Sequence, residues 1–519
     1  MRLRADLLVV GSGFAGSLAA SVASRLGRRV LLLERGKHPR FALGESSTPL
    51  AALSLRRLAE RYRLEHVLPL TAYGRWLAER PELRRGLKRG FTFYGHAGTG
   101  GGSSLPGRLL VAASPSDELA DSHWLREDVD AFLARAAALE PGLELLEETE
   151  VMGLELGAGG LRLEARRHGE ALELEAGFLV DASGGALLPR FLPELAHPEP
   201  SRVWSTLLYS HFAGVADLAE RIEESGLKLA PGPYPDGRAA VHHLLEEGWI
   251  YLLPFDHGIA SAGLLIDHAR PGARELLALA EASPEAAWRR VLGRYPWLER
   301  QFEPACATFP LRRIARVQHR MRQASGPGWL ALPGAFAFTD PLFSTGIAWS
   351  LLGVERLGRL LEAEERPGEE GLERYDRLLR QEADFLDRLL AGAYRALADF
   401  PRFAAFCQLY FAAASFGETE RRLFPERCDW AWEGFLGCQD EAVAGALEGA
   451  LARLAAEEVA TEAFAEWIAE AIAGRNVAGL ADPARGNLYP ADVETVVRQA
   501  HLLGLTEEEV RDRVPMLLR

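Results

Sequence analysis

The stretch Asp6-Leu-Leu-Val-Val-Gly-Ser-Gly-Phe-Ala-Gly16 decides the fold of this chain. An apolar strand leads into the pattern Gly11-x-Gly13-x-x-Gly16, and small apolar residues at helical spacing follow to about Leu26. A second apolar run, from Val30 to Leu33, ends in Glu34. This order predicts a β-α-β unit that binds a dinucleotide. Its glycines permit a tight turn and close approach to a pyrophosphate, and its acidic residue accepts hydrogen bonds from a ribose.

Bulk composition narrows the class of protein. A chain of 519 residues with 48% hydrophobic and 25% charged residues predicts a globular protein of two or three domains. The net charge of −14 argues against nucleic acid as a partner. No apolar run is long enough for an integral membrane segment, and no signal peptide is expected, because the first predicted strand begins within the first few residues. Four cysteines without metal-ligand spacing favour a reduced, cytoplasmic protein and no metal site.

Lysine is rare in this chain. Of 59 basic residues, only Lys37, Lys88 and Lys228 are lysines. Arg stays protonated, whereas the amine of a desolvated Lys can lose its proton, so a retained Lys is a candidate for chemistry. Chance survival at the surface is the favoured interpretation for Lys37 and Lys228.

The rest of the pattern predicts an α/β core over residues 1–360 and an all-helical C-terminal domain over residues 361–519. A substrate-side sheet is expected at about residues 200–310, and a hairpin is expected around Leu163 and Leu174. The run Trp329–Phe338 predicts one buried strand, and a helix is expected after Gly346. The segment Ala97–Ser104 is either a surface loop or a mobile lid.

Another candidate nucleotide contact is the turn Asp181-Ala182-Ser183-Gly184, which follows the buried strand that begins at Phe178. Such a turn can place backbone N–H groups against a nucleotide, although a plain strand-to-helix turn has the same appearance. His123 is expected to be a packed histidine, and the pair His242-His243 lacks a third metal ligand.

Taken in order, five segments resemble those of flavin-dependent halogenases, within the glutathione-reductase-like class of FAD enzymes. The resemblance spans about residues 6–360. The segments are the β-α-β unit with Glu34, Gly44-Glu-Ser-Ser-Thr-Pro49, Lys88-Arg-Gly-Phe-Thr-Phe93, Gly248-Trp-Ile-Tyr-Leu-Leu-Pro254, and Phe338-Thr-Asp-Pro-Leu-Phe-Ser-Thr-Gly-Ile347. The resemblance implies a Rossmann-like FAD-binding core of the glutathione-reductase or p-hydroxybenzoate-hydroxylase type, with a mixed-sheet substrate subdomain and a helical C-terminal region.

The same resemblance implies roles for particular residues. Lys88 matches the family's catalytic lysine, which directs hypohalous acid made from reduced flavin, O2 and halide. The alternative is a structural lysine that forms a salt bridge with a nearby acidic residue. FAD contacts are expected from Gly11, Gly13, Phe14, Ala15, Gly16, Glu34, Arg35, Gly44, Glu45, Ser46, Ser47, Arg126, Asp181, Ala182, Ser183, Gly184, Asp340, Pro341, Gly346 and Ile347. Halide is expected at the backbone of Ser344, Thr345 and Gly346, and substrate at Trp249, Tyr251, Pro254 and Phe343.

Departures from the family pattern shape the substrate prediction. Tyr251 and Leu253 replace a Trp and an Ile of the family signature, and Pro333-Gly334 replaces a Gly-Asp pair of the FAD class. Phe343 stands where tryptophan halogenases have a Glu. The last change moves the prediction from free tryptophan to a phenol- or pyrrole-like ring, either free or tethered to a carrier.

Three functions stay open on the sequence. The first is an FAD-dependent halogenase that receives reduced flavin from a separate reductase, because the chain has no second dinucleotide fingerprint. The alternative is a flavin-dependent monooxygenase or hydroxylase that acts on a small, protein-bound or carrier-bound substrate. The third is a flavin-binding scaffold whose helical region, from about residue 362, docks another protein.

Overall fold

The computed structural model describes residues 2–96, 105–157, 160–185, 187–199, 201–426, 429–456 and 459–518. The loop Ala97–Ser104 lies outside these residues, so its role stays a prediction. The strands are β1 Arg2–Val10, β2 Val30–Leu33, β3 Arg85–Lys88, β4 Gly90–Gly95, β5 Gly107–Ala112, β6 Asp121–Trp124, β7 Leu143–Leu146, β8 Thr149–Gly157, β9 Gly160–Arg167, β10 Glu170–Asp181, β11 Ser205–Ala213, β12 Ala240–Leu245, β13 Gly248–Pro254, β14 Ile259–Asp267, β15 Cys306–Ala307, β16 Arg312–Ile314, β17 His319–Arg320, β18 Ser325–Gly326, β19 Trp329–Ala331, β20 Ala337–Phe338 and β21 Leu488–Tyr489. The helices are α1 Phe14–Arg25, α2 Pro49–Tyr62, α3 Tyr73–Glu79, α4 Arg126–Ala137, α5 Leu187–Phe191, α6 Leu218–Glu224, α7 Ala273–Ala282, α8 Pro284–Leu292, α9 Pro296–Phe302, α10 Pro333–Phe336, α11 Gly346–Ala363, α12 Glu369–Ala396, α13 Phe400–Leu423, α14 Glu441–Ala455, α15 Thr461–Ile472, α16 Val493–Arg498 and α17 Glu507–Leu517.

The first sheet confirms the predicted β-α-β unit. Its central strand β1 pairs in parallel with β2 and β10, and the strand order is β18-β19-β10-β1-β2-β7. The carboxyl ends of parallel strands meet at one edge, so Gly11, Glu34 and Asp181 come together there. The predicted hairpin is formed by β9 and β10, in which Leu163 and Leu174 are register partners.

The second sheet has the order β15-β11-β14-β13-β12-β4-β5-β21 and contains the strands predicted on the substrate side. It is mostly antiparallel, with parallel pairs β12–β4 and β21–β5. It therefore reaches beyond residues 200–310, because β4 and β5 come from earlier in the chain. A separate two-stranded pair, β3 and β6, sets Lys88 opposite Asp121.

Two predictions of local structure need correction. The run Trp329–Phe338 is not one strand: β19 ends at Ala331, and α10 begins at Pro333. Pro333 has no N–H to continue a ladder and favours the first turn of a helix. The region after residue 361 is helical as predicted, except for β21, which pairs with β5.

The C-terminal helices pack into the same hydrophobic core as the first sheet. Leu8 of β1, Leu379 of α12 and Phe406 of α13 belong to one cluster of buried side chains. A fully buried ion pair, 2.6 Å between Arg356 and Glu382, joins α11 to α12. The domain boundary at residues 360–361 therefore stays a prediction, because buried side chains on both sides of it belong to this one cluster.

Across the described ranges, no helix combines the length and apolar character that crossing a bilayer requires. In the same ranges, no group of three or more His, Cys, Asp or Glu side chains has the arrangement of a metal site.

Candidate active site

The glycine-rich turn between β1 and α1 forms a backbone cradle. Gly11 has φ +102°, and a Cβ there would overlap the carbonyl oxygen of Ala182. A Cβ at Gly16 would overlap the carbonyl oxygen of Gly11, so only glycine lets α1 pack this closely on β1. The helix N-cap, Gly13, provides no side-chain cap. The amide of Phe14 donates to Asp130, whereas the next amides, those of Ala15 and Gly16, have no intrahelical acceptor and suit an anion. This cradle fits the pyrophosphate of FAD.

Glu34 lies at the end of β2, in the position that a ribose-binding carboxylate requires. Its side chain accepts hydrogen bonds from Ser12 N at 3.2 Å and from Gly36 N at 2.8 Å. Burial acts to raise the pKa of Glu34, but Arg40, whose guanidinium lies 2.8 Å from the carboxylate, and these hydrogen bonds hold it below its ordinary value. Glu34 is therefore an ionised acceptor. Arg35, its neighbour, is exposed, and its contact with FAD stays a prediction.

Arg126, the first residue of α4, connects the cradle to the segment that contains Gly44. Its guanidinium pairs with Asp130 at 2.9 Å and donates to the carbonyl oxygens of Leu43 and Gly44. Asp130 also accepts from the backbone N–H of Phe14. A side chain at Gly13 would approach both Arg126 and Asp130, so this pair lines the cradle.

The segment Glu45–Ser47 is held from several sides. Glu45 is buried and lies 3.1 Å from His211, and the Ser46 hydroxyl lies 3.0 Å from the Ser344 hydroxyl. Asp181 accepts from Ser183 N and Leu188 N, so its carboxylate shapes its own turn. Burial raises the pKa of Asp181.

The segment from Asp340 to Gly346 leads into α11. Ser344 adopts φ +52°, which non-glycine residues rarely do, and α11 then begins at Gly346. The first amides of this long helix have no intrahelical acceptor, and the positive end of the helix dipole favours an anion there. The N–H of Ser344 donates to the carbonyl oxygen of Pro341 at 2.9 Å, and halide binding at Ser344, Thr345 and Gly346 stays a prediction.

Two tyrosines from the C-terminal helices fasten this segment. The hydroxyl of Tyr394 in α12 donates to Asp340 at 2.6 Å and accepts from the indole N–H of Trp249 at 3.0 Å. The hydroxyl of Tyr410 in α13 donates to the carbonyl oxygen of Phe343 at 2.8 Å, and the two rings stack at 4.5 Å. Burial raises the pKa of Asp340 to about 7, and the Tyr394 hydroxyl opposes that rise.

Lys88 is fully buried at the end of β3. Its Nζ donates to the carbonyl oxygen of Ser47 at 2.5 Å and lies 4.2 Å from the centre of the Phe91 ring. Burial lowers the pKa of Lys88, and the nearby carboxyl of Asp121 opposes this shift. An amine with a lowered pKa can supply its neutral form near neutral pH, as capture of an electrophilic halogen requires.

A cavity of about 150 Å³ lies beside these segments. Its lining includes Thr48 from the segment Gly44–Pro49, Thr345 from the segment Phe338–Ile347, and Phe91, whose ring faces the Lys88 amine. The opposite wall is formed by one face of α13, with lining residues between Tyr410 and Arg422. Residues 477–518 close the cavity with further apolar side chains.

Two models of known protein families match parts of this chain. A model of the NAD(P)-binding Rossmann-like domain matches residues 9–48, and the tryptophan halogenase model matches residues 122–399, more than half of the chain. The chain belongs to the tryptophan halogenase family. It is therefore an FAD-dependent oxidoreductase of the flavin-dependent halogenase type.

Individual halogenases extend the likeness over most of the chain. Tetracycline 7-halogenase of Kitasatospora aureofaciens is 26% identical over 79% of this chain and 74% of its own length. Monodechloroaminopyrrolnitrin halogenase PrnC of Pseudomonas fluorescens is 26% identical over 80% of this chain and 72% of its own length. The fold matches that of halogenase PltM in complex with phloroglucinol and FAD, with a TM-score of 0.81 and 21% identity over 93% of this chain and 99% of that one.

The predicted substrate residues of this halogenase-family chain do not line the 150 Å³ cavity. Trp249 and Tyr251 are buried in β13, and Phe343 is covered by the Tyr410 ring. Pro254 borders a different cavity, of about 230 Å³, beside Phe255. Their contact with substrate stays a prediction without support from the cavity, whereas Trp249 supports the Asp340 segment through Tyr394.

Sequence reasoning missed several polar residues of this halogenase fold. Arg40 and Asp130 lie at the cofactor cradle, and Tyr394, Tyr410 and Glu418 belong to the C-terminal helices. The sequence does carry one signal for this region, since it is rich in aromatic residues after residue 400, and aromatic side chains can line a site for a ring substrate.

Proposed function

We propose that this protein halogenates an electron-rich, phenol- or pyrrole-like ring, and that Lys88 directs the halogen to it. Reduced FAD, O2 and halide together supply hypohalous acid in this family. The observation that carries the proposal is the burial of Lys88, the chain's single buried lysine among the described residues, next to a cavity of about 150 Å³. Its amine touches both Ser47 and Phe91, so an electrophile held there is shielded from water.

The residues around Lys88 have separate tasks in this proposal. Gly13, Glu34 and Arg126 hold FAD by its phosphates and ribose. The backbone from Ser344 to Gly346 binds the halide ion, and the apolar cavity walls keep the oxidant from bulk water. The aromatic substrate enters as a free molecule or tethered to a carrier, and a separate flavin reductase delivers the reduced cofactor. A cytoplasmic location is also proposed, and the free cysteines Cys306, Cys407 and Cys438 agree with a reducing compartment.

A reconstituted reaction tests the proposal. Purified protein is incubated with FAD, a flavin reductase, NADH, and bromide or chloride, and a series of phenols and pyrroles is offered. We expect halide-dependent products with the mass of the halogenated ring, and their loss in Lys88→Met. Lys228→Met is the matched control, because Lys228 is exposed and outside the cavity. Oxygenated product that forms without halide and survives Lys88→Met would favour the hydroxylase alternative and contradict the proposal.

A further inference from the structure

The cavity wall that α13 supplies changes in character along the helix. Tyr410, Phe411 and Ala414 form an apolar end near Thr345, and Ser415, Glu418 and Arg422 form a polar end. At 1.5 Å of rise per residue, Glu418 lies about 12 Å beyond Tyr410 along the axis. A planar ring with a polar substituent matches this division.

Glu418 presents a free acceptor to the cavity. Arg422 Nε donates to Oε1 of Glu418 at 2.8 Å, and among the described residues no donor is bonded to Oε2. The side chain of Glu418 is 21% exposed, and it belongs to the cavity lining. A carboxylate oxygen without a partner in a largely apolar cavity favours a ligand that brings a hydrogen-bond donor.

Oppositely charged groups are paired both at this end of the cavity and at Lys88. Asp121 is the register partner of Lys88 and is fully enclosed. Burial raises the pKa of Asp121. Lys88 and Arg422 act to lower that pKa, whereas Glu418 acts to raise it. Arg422, whose Nε lies 2.8 Å from Oε1 of Glu418, compensates the charge of this carboxylate, so the ligand does not have to carry a charge.

We propose that Glu418 is the substrate-recognition residue of this cavity and that its carboxylate accepts a hydrogen bond from a ring hydroxyl or ring N–H. Arg422 is the positioning residue that holds the carboxylate. The inference rests on the proposed function and narrows its substrate class to neutral aromatic rings that carry a donor. Rings that carry only a carboxylate are rejected, because they face Oε2 with like charge. Rings that carry only ether oxygens are rejected, because they leave Oε2 unpaired.

Binding measurements test this inference without turnover. The probes are resorcinol and its dimethyl ether, titrated calorimetrically into the FAD-loaded protein. The parent protein should bind resorcinol at least about tenfold more tightly than the ether, since a charge-assisted hydrogen bond is lost in the ether. Equal affinity for the two probes would overturn the inference, and this comparison requires no variant to fold.

A matched pair of variants locates the effect. Glu418→Gln keeps the size of the side chain but removes its charge, and should weaken resorcinol binding about tenfold while leaving the affinity for the ether unchanged. Glu420→Gln makes the same change two residues along α13, about 200° around the helix and outside the cavity lining, and should change neither affinity. Equal effects of the two variants, or none from Glu418→Gln, would refute the inference. A parent that binds resorcinol through Glu418 but forms no halogenated product would refute only the proposed function.

Discussion

Replacing Tyr394 by Phe should destabilise the protein more at about pH 8 than at about pH 5.5. The hydroxyl of Tyr394 has two buried partners, Asp340 and the indole N–H of Trp249. Without the hydroxyl, the indole N–H of Trp249 loses its acceptor and is unpaired in the interior. This loss costs about 1–3 kcal/mol at either pH. The Asp340 partner adds a cost that depends on pH.

The sign of this dependence follows from the pKa of Asp340. Burial raises it to about 7, so the folded protein holds a proton there between about pH 4 and pH 7, and the stability that this proton gives is lost as the pH rises through that window. The variant removes the hydroxyl that favours the carboxylate, so its folded pKa rises further. A hydrogen bond to the ionised group is worth about 1.5–3 kcal/mol, and one to the neutral group about 0.5–1.5 kcal/mol. The total cost is therefore about 2.5–6 kcal/mol at pH 8 and about 1–1.5 kcal/mol less at pH 5.5.

Urea unfolding followed by tryptophan fluorescence at both pH values measures the effect. Tyr375→Phe is the matched control: Tyr375 is in the same helix, equally buried, and donates to the carbonyl oxygen of Ala331 at 2.8 Å. Its loss should cost about 1–3 kcal/mol at both pH values, because a backbone carbonyl does not titrate in this range. A Tyr394→Phe cost that is the same at both pH values would refute the assignment of Asp340 as the titrating partner.

Three further outcomes are expected. Lys88→Arg should retain FAD but lose more than about 90% of halogenated product by mass spectrometry, because Arg stays a cation; product at half the parent level would contradict a role for the amine. Gly16→Ala should weaken FAD binding by about tenfold or more in a fluorescence titration, because the new Cβ overlaps the Gly11 carbonyl, whereas Gly445→Ala, in open space on α14, should have no effect. Tyr410→Phe should raise the KM for halide about threefold to tenfold while FAD binding is unchanged, because it frees the Phe343 carbonyl; an unchanged KM argues against halide at this segment.

The parts of the fold that sequence predicted are those with local rules. The unit from Gly11 to Glu34 follows from glycine conformation and strand and helix periodicity, both of which act within about 30 residues. The helix after Gly346 and the β9–β10 hairpin are predictable for the same reason. The strand prediction at Trp329–Phe338 gave too little weight to Pro333, which turns the chain into α10.

The parts that sequence did not predict depend on distant contacts. Tyr394 and Tyr410 hydrogen-bond to Asp340 and Phe343 across 54 and 67 residues of chain, and neither has a local pattern that points to its partner. Glu418 lies in a helix whose other residues resemble ordinary core and surface positions. The hydrogen bond from the indole N–H of Trp249 to Tyr394 likewise has no local signal, and the predicted contact of Trp249 with substrate stays a prediction.

The α13 wall lies in a different part of the chain from the proposed cofactor-binding residues. The residues proposed to bind the cofactor and the halide come from the first 350 residues, whereas the lining of the proposed substrate cavity comes largely from residues beyond 400. Mutations beyond residue 400 should therefore change which compound the protein accepts and leave the formation of reactive halogen unchanged. Laboratory evolution toward new acceptors should accordingly begin by diversifying that stretch.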